Sequence, residues 1–172
     1  MKHLIFIMIF VIFSGTCDAN ENQNSNELTN IKEVIATFEQ SIINKDKDTF
    51  LSLFIDPEAP MYGIVSPKTM VLRRAGVAEI NKRDNKNFVA TRYWTTSAKK
   101  LIAMSSNNKG PVEERISNVK IQTDGNIASV FFDYEFYKNN KKVHWGQENM
   151  QMIQTNQGWK IASVVYSFTS EQ

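Results

Sequence analysis

Cysteine is almost absent from these 172 residues: Cys17 is the only one, and it lies near the N-terminus. The body of the chain therefore has no disulfide framework, no cysteine-ligated metal site and no thiol nucleophile. Histidine is equally scarce, with only His3 and His144, so no metal site is expected. The 7 glycines form neither a phosphate-cradling loop nor a Gly-x-Ser-x-Gly elbow, and no cofactor is expected. A dominant charge is missing too. With 20 Lys and Arg against 18 Asp and Glu the formal net charge is +2, which calls for neither nucleic acid nor a membrane surface as partner. The one long apolar run, Leu4 to Phe13, has about ten residues where a spanning helix needs about 20, so no stable membrane anchor is expected.

That run has a different reading. Lys2 and His3 precede it and Ser14-Gly15-Thr16-Cys17-Asp18-Ala19 follow, which is the basic start, apolar middle and small-residue exit of a signal peptide. Residues 1–19 are read as a leader cleaved near Ala19, which predicts a periplasmic or secreted protein. A lipoprotein anchored through Cys17 is the alternative, but Ser14-Gly15-Thr16 matches a bacterial lipobox poorly. Residues 20–26 are polar and read as a disordered lead-in. Residues 27–172 contain no repeat, linker or low-complexity tract and read as one domain.

What the chain does have is β-type sequence at its C-terminal end. From Asn126 to Phe168 three runs rich in Val, Ile, Phe, Tyr and Trp are separated by Asn139-Asn140 and by Asn156-Gln157-Gly158. Both breaks suit tight turns, and no Pro interrupts the runs, so an antiparallel meander is predicted. If residues 155 and 159 flank the last loop, Met152 faces Ala162, Met150 faces Val164 and Glu148 faces Tyr166. Met150, Met152, Ala162, Val164, Tyr166 and Phe168 then share the core face with His144, Gly146 and Glu148. The opposite face carries Trp145, Gln147, Asn149, Gln151, Ser163, Val165 and Ser167. The parity of Tyr134 and Asp133 depends on the Asn139-Asn140 turn, where a slip of one residue would exchange the faces.

Upstream, Leu28, Ile31, Val34, Ile35, Phe38 and Ile42 recur at helical spacing over Glu27 to Asn44. Asp46 can cap a second helix over Lys47 to Phe54. Pro57 and Pro60 precede a short strand from Met61 to Val65. Thr69 to Ala75 reads as helical and Gly76 to Asn87 as a charged loop. Thr96 can cap a helix running to about Met104, and Glu114 to Thr123 opens the sheet.

Two N-terminal helices, a broken middle and a C-terminal sheet, with Pro111-Val112-Glu113-Glu114-Arg115, Asp133 to Tyr137, His144-Trp145-Gly146-Gln147-Glu148 and Gly158 to Tyr166, resemble the nuclear transport factor 2-like superfamily. The chain is most similar to its SnoaL-like and lumazine-binding groups of exported bacterial proteins. The resemblance implies an α+β fold, a cone-like curled antiparallel β-sheet packed on the N-terminal helices, as in cystatin-like proteins. It covers most of the chain after the leader. The catalytic carboxylate and oxyanion-binding tyrosine of the superfamily's isomerases have no residue-by-residue counterpart here, so no catalytic residue is carried over.

The residues themselves point to a pocket. His144 and Glu148 lie on one strand face with Cα atoms roughly 13 Å apart, too far to pair but suited to two walls of a cleft. A neutral imidazole and a carboxyl of raised pKa could each handle a proton near pH 7. Tyr134, Tyr166, Met150, Tyr62 and Trp94 are candidate walls for a small apolar or aromatic ligand. The expected function is that of an exported small-ligand-binding protein. The alternatives are a cofactor-free lyase, isomerase or cyclase using His144 or Glu148 as acid or base, and a dimeric interaction module without a ligand. Trp145, Gln151 and Val165 on the outer face are the candidate homodimer surface. The basic stretch from Arg73 to Lys100 has no groove signature and reads as a solvated face.

Overall fold

The computed structural model describes residues 18–170, so the leader residues 1–17 lie outside the described residues. Helix α1 spans Asp18–Asn44 and α2 Lys47–Ser52; β1 (Pro60–Val65), α3 (Pro67–Asp84), β2 (Tyr93–Ser97) and α4 (Ala98–Ser106) follow. The meander closes the chain, with β3 Val112–Thr123, β4 Ile127–Lys138, β5 Lys141–Thr155 and β6 Gly158–Phe168. The six strands form one curled, unclosed sheet in the order β2-β1-β6-β5-β4-β3. Every pairing is antiparallel except β1 with β6. No described helix is long and apolar enough to cross a membrane.

Helix α1 carries the apolar stripe across the concave face of this sheet. Ile31, Ile35, Phe38 and Ile42 are all buried, each side chain contributing about 1.5–3 kcal/mol on burial. Phe38 packs at a tilt on Phe50 (centroids 5.1 Å apart), and Phe50 on Phe54 (5.1 Å), which anchors α2 to α1. Asp46 caps α2 by accepting from Thr49 N at 3.0 Å. At the end of α1, Lys45 Nζ donates to the carbonyls of Asn108 (2.7 Å) and Gly110 (2.9 Å), tying the helix to the loop that follows α4.

Several elements differ from expectation for identifiable reasons. Helix α1 begins at Asp18, so residues 20–26 are helical rather than an irregular lead-in; no Gly or Pro interrupts the chain between Asp18 and Asn44. Helix α3 runs through Gly76 to Asp84, starting on the Ser66 cap with Pro67 in its first turn and ending where Asn85 turns left-handed. The cap of α4 is Ser97, one residue beyond Thr96, because Tyr93–Ser97 forms strand β2 against β1.

Register in the meander follows the parity argument with one correction. The last turn is shorter than expected: Thr155 pairs with Gly158, and Met152 faces Ile161 rather than Ala162. A bulge at Ala162 absorbs the difference, so Met150 still faces Val164 and Glu148 still faces Tyr166. In the other turn both Asn139 and Asn140 have positive φ (51° and 61°), the conformation a two-residue hairpin needs. A second bulge, at Val143, places Phe136 opposite His144 and Tyr134 opposite Gly146. Tyr134 therefore faces inward, and Asp133 faces outward, bonded to Asn118 (2.7 Å) and Gln147 (3.0 Å).

Candidate functional site

Side chains of one sheet face lie in rows across the strands, and these rows build the site. One row runs Phe132, Glu148, Tyr166, Gly63, Trp94 from β4 to β2. Another row, separated from it by Ile116, Tyr134 and Gly146, runs Glu114, Phe136, His144 from β3 to β5. Between the sheet, α1 and α4 these rows leave a cavity of about 500 Å³. Its walls are largely aromatic: Phe38 from α1, Trp94 from β2, Tyr134 and Phe136 from β4, Tyr166 and Phe168 from β6. Leu101, Met104, Ser105 and Asn108 complete it from the α4 side.

Gly63 is required by this arrangement. It pairs with Trp94 across β1 and β2, and a Cβ there would collide with the indole, which lies flat over the glycine. The ring is held by Trp94 Nε1 donating to Tyr166 Oη at 3.1 Å, and it meets Tyr166 and Phe168 edge-on, each at 5.7 Å. Gly146 performs a similar service in β5, where a side chain would strike the carbonyl of Ser167. That carbonyl accepts from Tyr134 Oη at 2.8 Å, which uses the tyrosine proton within the protein.

The polar groups of the cavity have few partners. Glu114 and Glu148 are only 7% and 5% exposed, and in each the Oε1 atom has no hydrogen-bond partner. Ser105 Oγ and His144 Nδ1 are buried and unpartnered as well. Desolvation pushes Glu114 up to about 8, reinforced by the charge of Glu39, which sits on α1 and accepts from Ile116 N at 3.1 Å. Desolvation, then repulsion from Glu114, raises Glu148 well above the usual carboxylate range. Glu114 is therefore largely protonated near neutral pH. His144 is stacked between Phe136 (4.7 Å, 7°) and Phe168 (4.6 Å, 32°), and burial lowers its pKa to about 4. The imidazole is neutral at pH 7. Burial also raises Tyr166, to about 12, against the lowering effect of the Trp94 bond.

Of the residues expected at a pocket, His144, Glu148, Tyr134, Tyr166 and Trp94 line the cavity. Met150 does not: it is fully buried between Val130 and Val164, beyond the cavity floor. Tyr62 does not either. Met61, Gly63 and Val65 take the inward positions of β1, which turns Tyr62 to the outer face at 44% exposure. Glu114 is the residue that sequence reasoning missed, although its alternation with inward Val112 and Ile116 carries the signal. Among the described residues, no group of three or more His, Cys, Asp or Glu is placed to hold a metal ion.

No family model matches this sequence, and no curated protein matches it. Solved structures do. A nuclear transport factor 2-like protein with a cystatin-like fold from Novosphingobium aromaticivorans superposes with a TM-score of 0.61 at 10% identity, covering 92% of this chain and 94% of that one. A nuclear transport factor 2-like protein of unknown function from Silicibacter pomeroyi gives 0.54 at 15% identity, with coverages of 85% and 98%. A cystatin-like protein of unknown function from Nostoc punctiforme gives 0.57 at 12% identity, with 86% and 94% covered. The chain thus has the nuclear transport factor 2-like, cystatin-like fold: N-terminal helices packed on a curled, mostly antiparallel sheet. At these identities the likeness concerns the fold alone, and function has to be argued from the cavity.

Proposed function

We propose that this protein is an exported binder of a small ligand with an aromatic or apolar body, held in the cavity between the sheet, α1 and α4. The observation that carries this reading is the set of buried, unpartnered polar atoms facing an aromatic-walled space of ligand size. Leaving such groups unsatisfied costs about 1–3 kcal/mol each, a cost that a ligand can recover. Proton abstraction is less well supported. His144, lowered by burial to about 4, is a weak base. Export rests on the leader-like residues 1–19. Native mass spectrometry of the protein purified from its own host tests the binding: a co-purifying small molecule is expected, lost in a variant with Tyr166 and Phe168 both replaced by Ala. A ligand-free wild type, in protein shown to be folded, would count against it.

A second reading concerns the outer face. Tyr62 and Val165 are cross-strand neighbours there, Asn149 separates Val165 from Phe131 in the same row, and Val165 is 48% exposed. Such a band on an otherwise polar sheet suits pairing with a second copy of the chain. Trp145 is half-buried on the same face, under Lys142 Nζ at 5.0 Å, and Gln151 joins a polar ladder with Asn149 and Ser129. The contact is therefore centred on Val165 rather than on Trp145.

A further inference from the structure

Two carboxyl side chains face one cavity, each more than nine-tenths buried and each with an oxygen that no group bonds. Buried acids of this kind are normally offset by a basic side chain. Among the described residues lining this cavity there is no Lys and no Arg. The ionisable neighbours around the lining leave both carboxyls unpaired: Lys45 Nζ is bonded to the Asn108 and Gly110 carbonyls, and Arg73 lies over the Trp94 ring. Glu39 on α1 is itself acidic and bonded to the β3 backbone, and His144 on β5 is neutral. On β4 and β6, Tyr134 gives its proton to Ser167 O, and Tyr166 accepts from Trp94. From β2, α4 and its following loop come only Trp94, threonine, apolar residues, Ser105 and Asn108.

The remaining walls favour positive charge of another origin. The faces and edges of Phe38, Trp94, Tyr134, Phe136, Tyr166 and Phe168 surround the same space, and aromatic rings attract organic cations most strongly when water is excluded. Deepening the binding reading above, on which this rests, we propose that the ligand is an organic cation, a primary or secondary amine on an aromatic or apolar body, seated against the Glu114–Glu148 pair. An ammonium group supplies two or three N–H donors to carboxylate oxygens that have none.

Binding then carries a proton balance. The amine enters protonated, one carboxyl ionises beside it, and the carboxyl proton leaves to the buffer. Affinity should rise with pH while that carboxyl is protonated in the free protein, by at most about tenfold per unit. A neutral ligand displaces no proton and shows a flat profile.

The test is calorimetric titration of the intact protein with 2-phenylethylamine and its uncharged isostere 2-phenylethanol, in phosphate and in PIPES, from about pH 6 to 7.5. The amine is expected to bind at least about tenfold more tightly than the alcohol, releasing close to one proton. Glu148→Gln and Glu114→Gln, each checked by its unfolding transition, should weaken the amine about tenfold or more and leave the alcohol little changed. If the alcohol binds as well as the amine and no proton is released, the cavity is a binding site but the cation is wrong. If the amine binds and neither substitution affects it, its site lies elsewhere and the inference falls. If neither compound binds at millimolar concentration, the inference and the binding reading fall together.

Discussion

Replacing Glu114 by glutamine should stabilise the protein at neutral pH, although it alters a fully buried residue. The folded-state pKa is raised from the usual 4.5 to about 8. Below pH 4.5 both folded and unfolded chains hold the proton, and the group is neutral to stability. As pH rises from 4.5 towards 8 the unfolded chain releases its proton while the folded chain keeps it. Stability is lost across that window, at about 1.4 kcal/mol per pH unit. Between pH 5 and 7.5 the wild type therefore gives up about 3 kcal/mol that the amide, which does not titrate, retains. For a chain of this size that corresponds to about 6–12 °C in Tm. Urea unfolding of both proteins at pH 5 and pH 7.5 reads the difference directly. Glu148 and His144 are common to both, so their contributions largely cancel in the comparison, and relief of the Glu114 repulsion on Glu148 adds in the same direction. Parallel stability curves for the two proteins across that interval would refute the desolvated-acid reasoning.

Four more outcomes are expected. His144→Phe should extend the Phe136–Phe168 stack and remove an acid-side weakness: with a folded pKa of about 4 against 6.5 unfolded, the wild type loses stability as pH falls through that window, by about 3 kcal/mol in all, measured by urea unfolding at pH 7 and pH 4. Gly63→Ala should push the Trp94 indole off its seat and break its bond to Tyr166, costing about 1–3 kcal/mol and shifting the tryptophan emission. Val165→Arg should shift the protein towards monomer in sedimentation velocity at micromolar concentration; a wild type that is already monomeric removes the pairing proposal. Intact mass of the exported protein should correspond to a chain starting near Asn20, and a mass retaining Met1 or carrying a diacylglycerol on Cys17 would contradict the soluble, cleaved form.

The inward placement of His144 and Glu148 was legible because strand parity is rigid: once Met150, Met152 and Val164 must be buried, every second residue of β5 follows them. Even a misjudged turn did not disturb this, since the bulge at Ala162 returned β6 to the expected phase before Val164. Glu114 stayed hidden because Glu113-Glu114-Arg115 has the composition of a solvated edge, and only two of its three charges are: Glu113 and Arg115 pair with each other outside, at 2.6 Å. Tyr62 was ambiguous for a different reason. Both faces of Met61–Val65 are apolar, so periodicity could not choose between them, and the parallel pairing with β6 that decides the matter joins segments about a hundred residues apart. The indole of Trp94 reaches the cavity by lying over Gly63, a contact between two strands whose pairing no local pattern announced.

The order β2-β1-β6-β5-β4-β3 has a consequence for how the molecule comes into being. Strand β6 is the one that joins the β1–β2 pair to the meander, so that pair cannot dock on the rest of the sheet until β6 has been made. Assembly cannot advance from the N-terminus as the polypeptide emerges. The β3–β4–β5 hairpins, built from local pairings, can form early, while closure onto β1 must wait for contacts of large sequence separation and be correspondingly slow. Removing β6 would leave two unconnected fragments of sheet, with β1 and β5 each exposing an open edge to other chains.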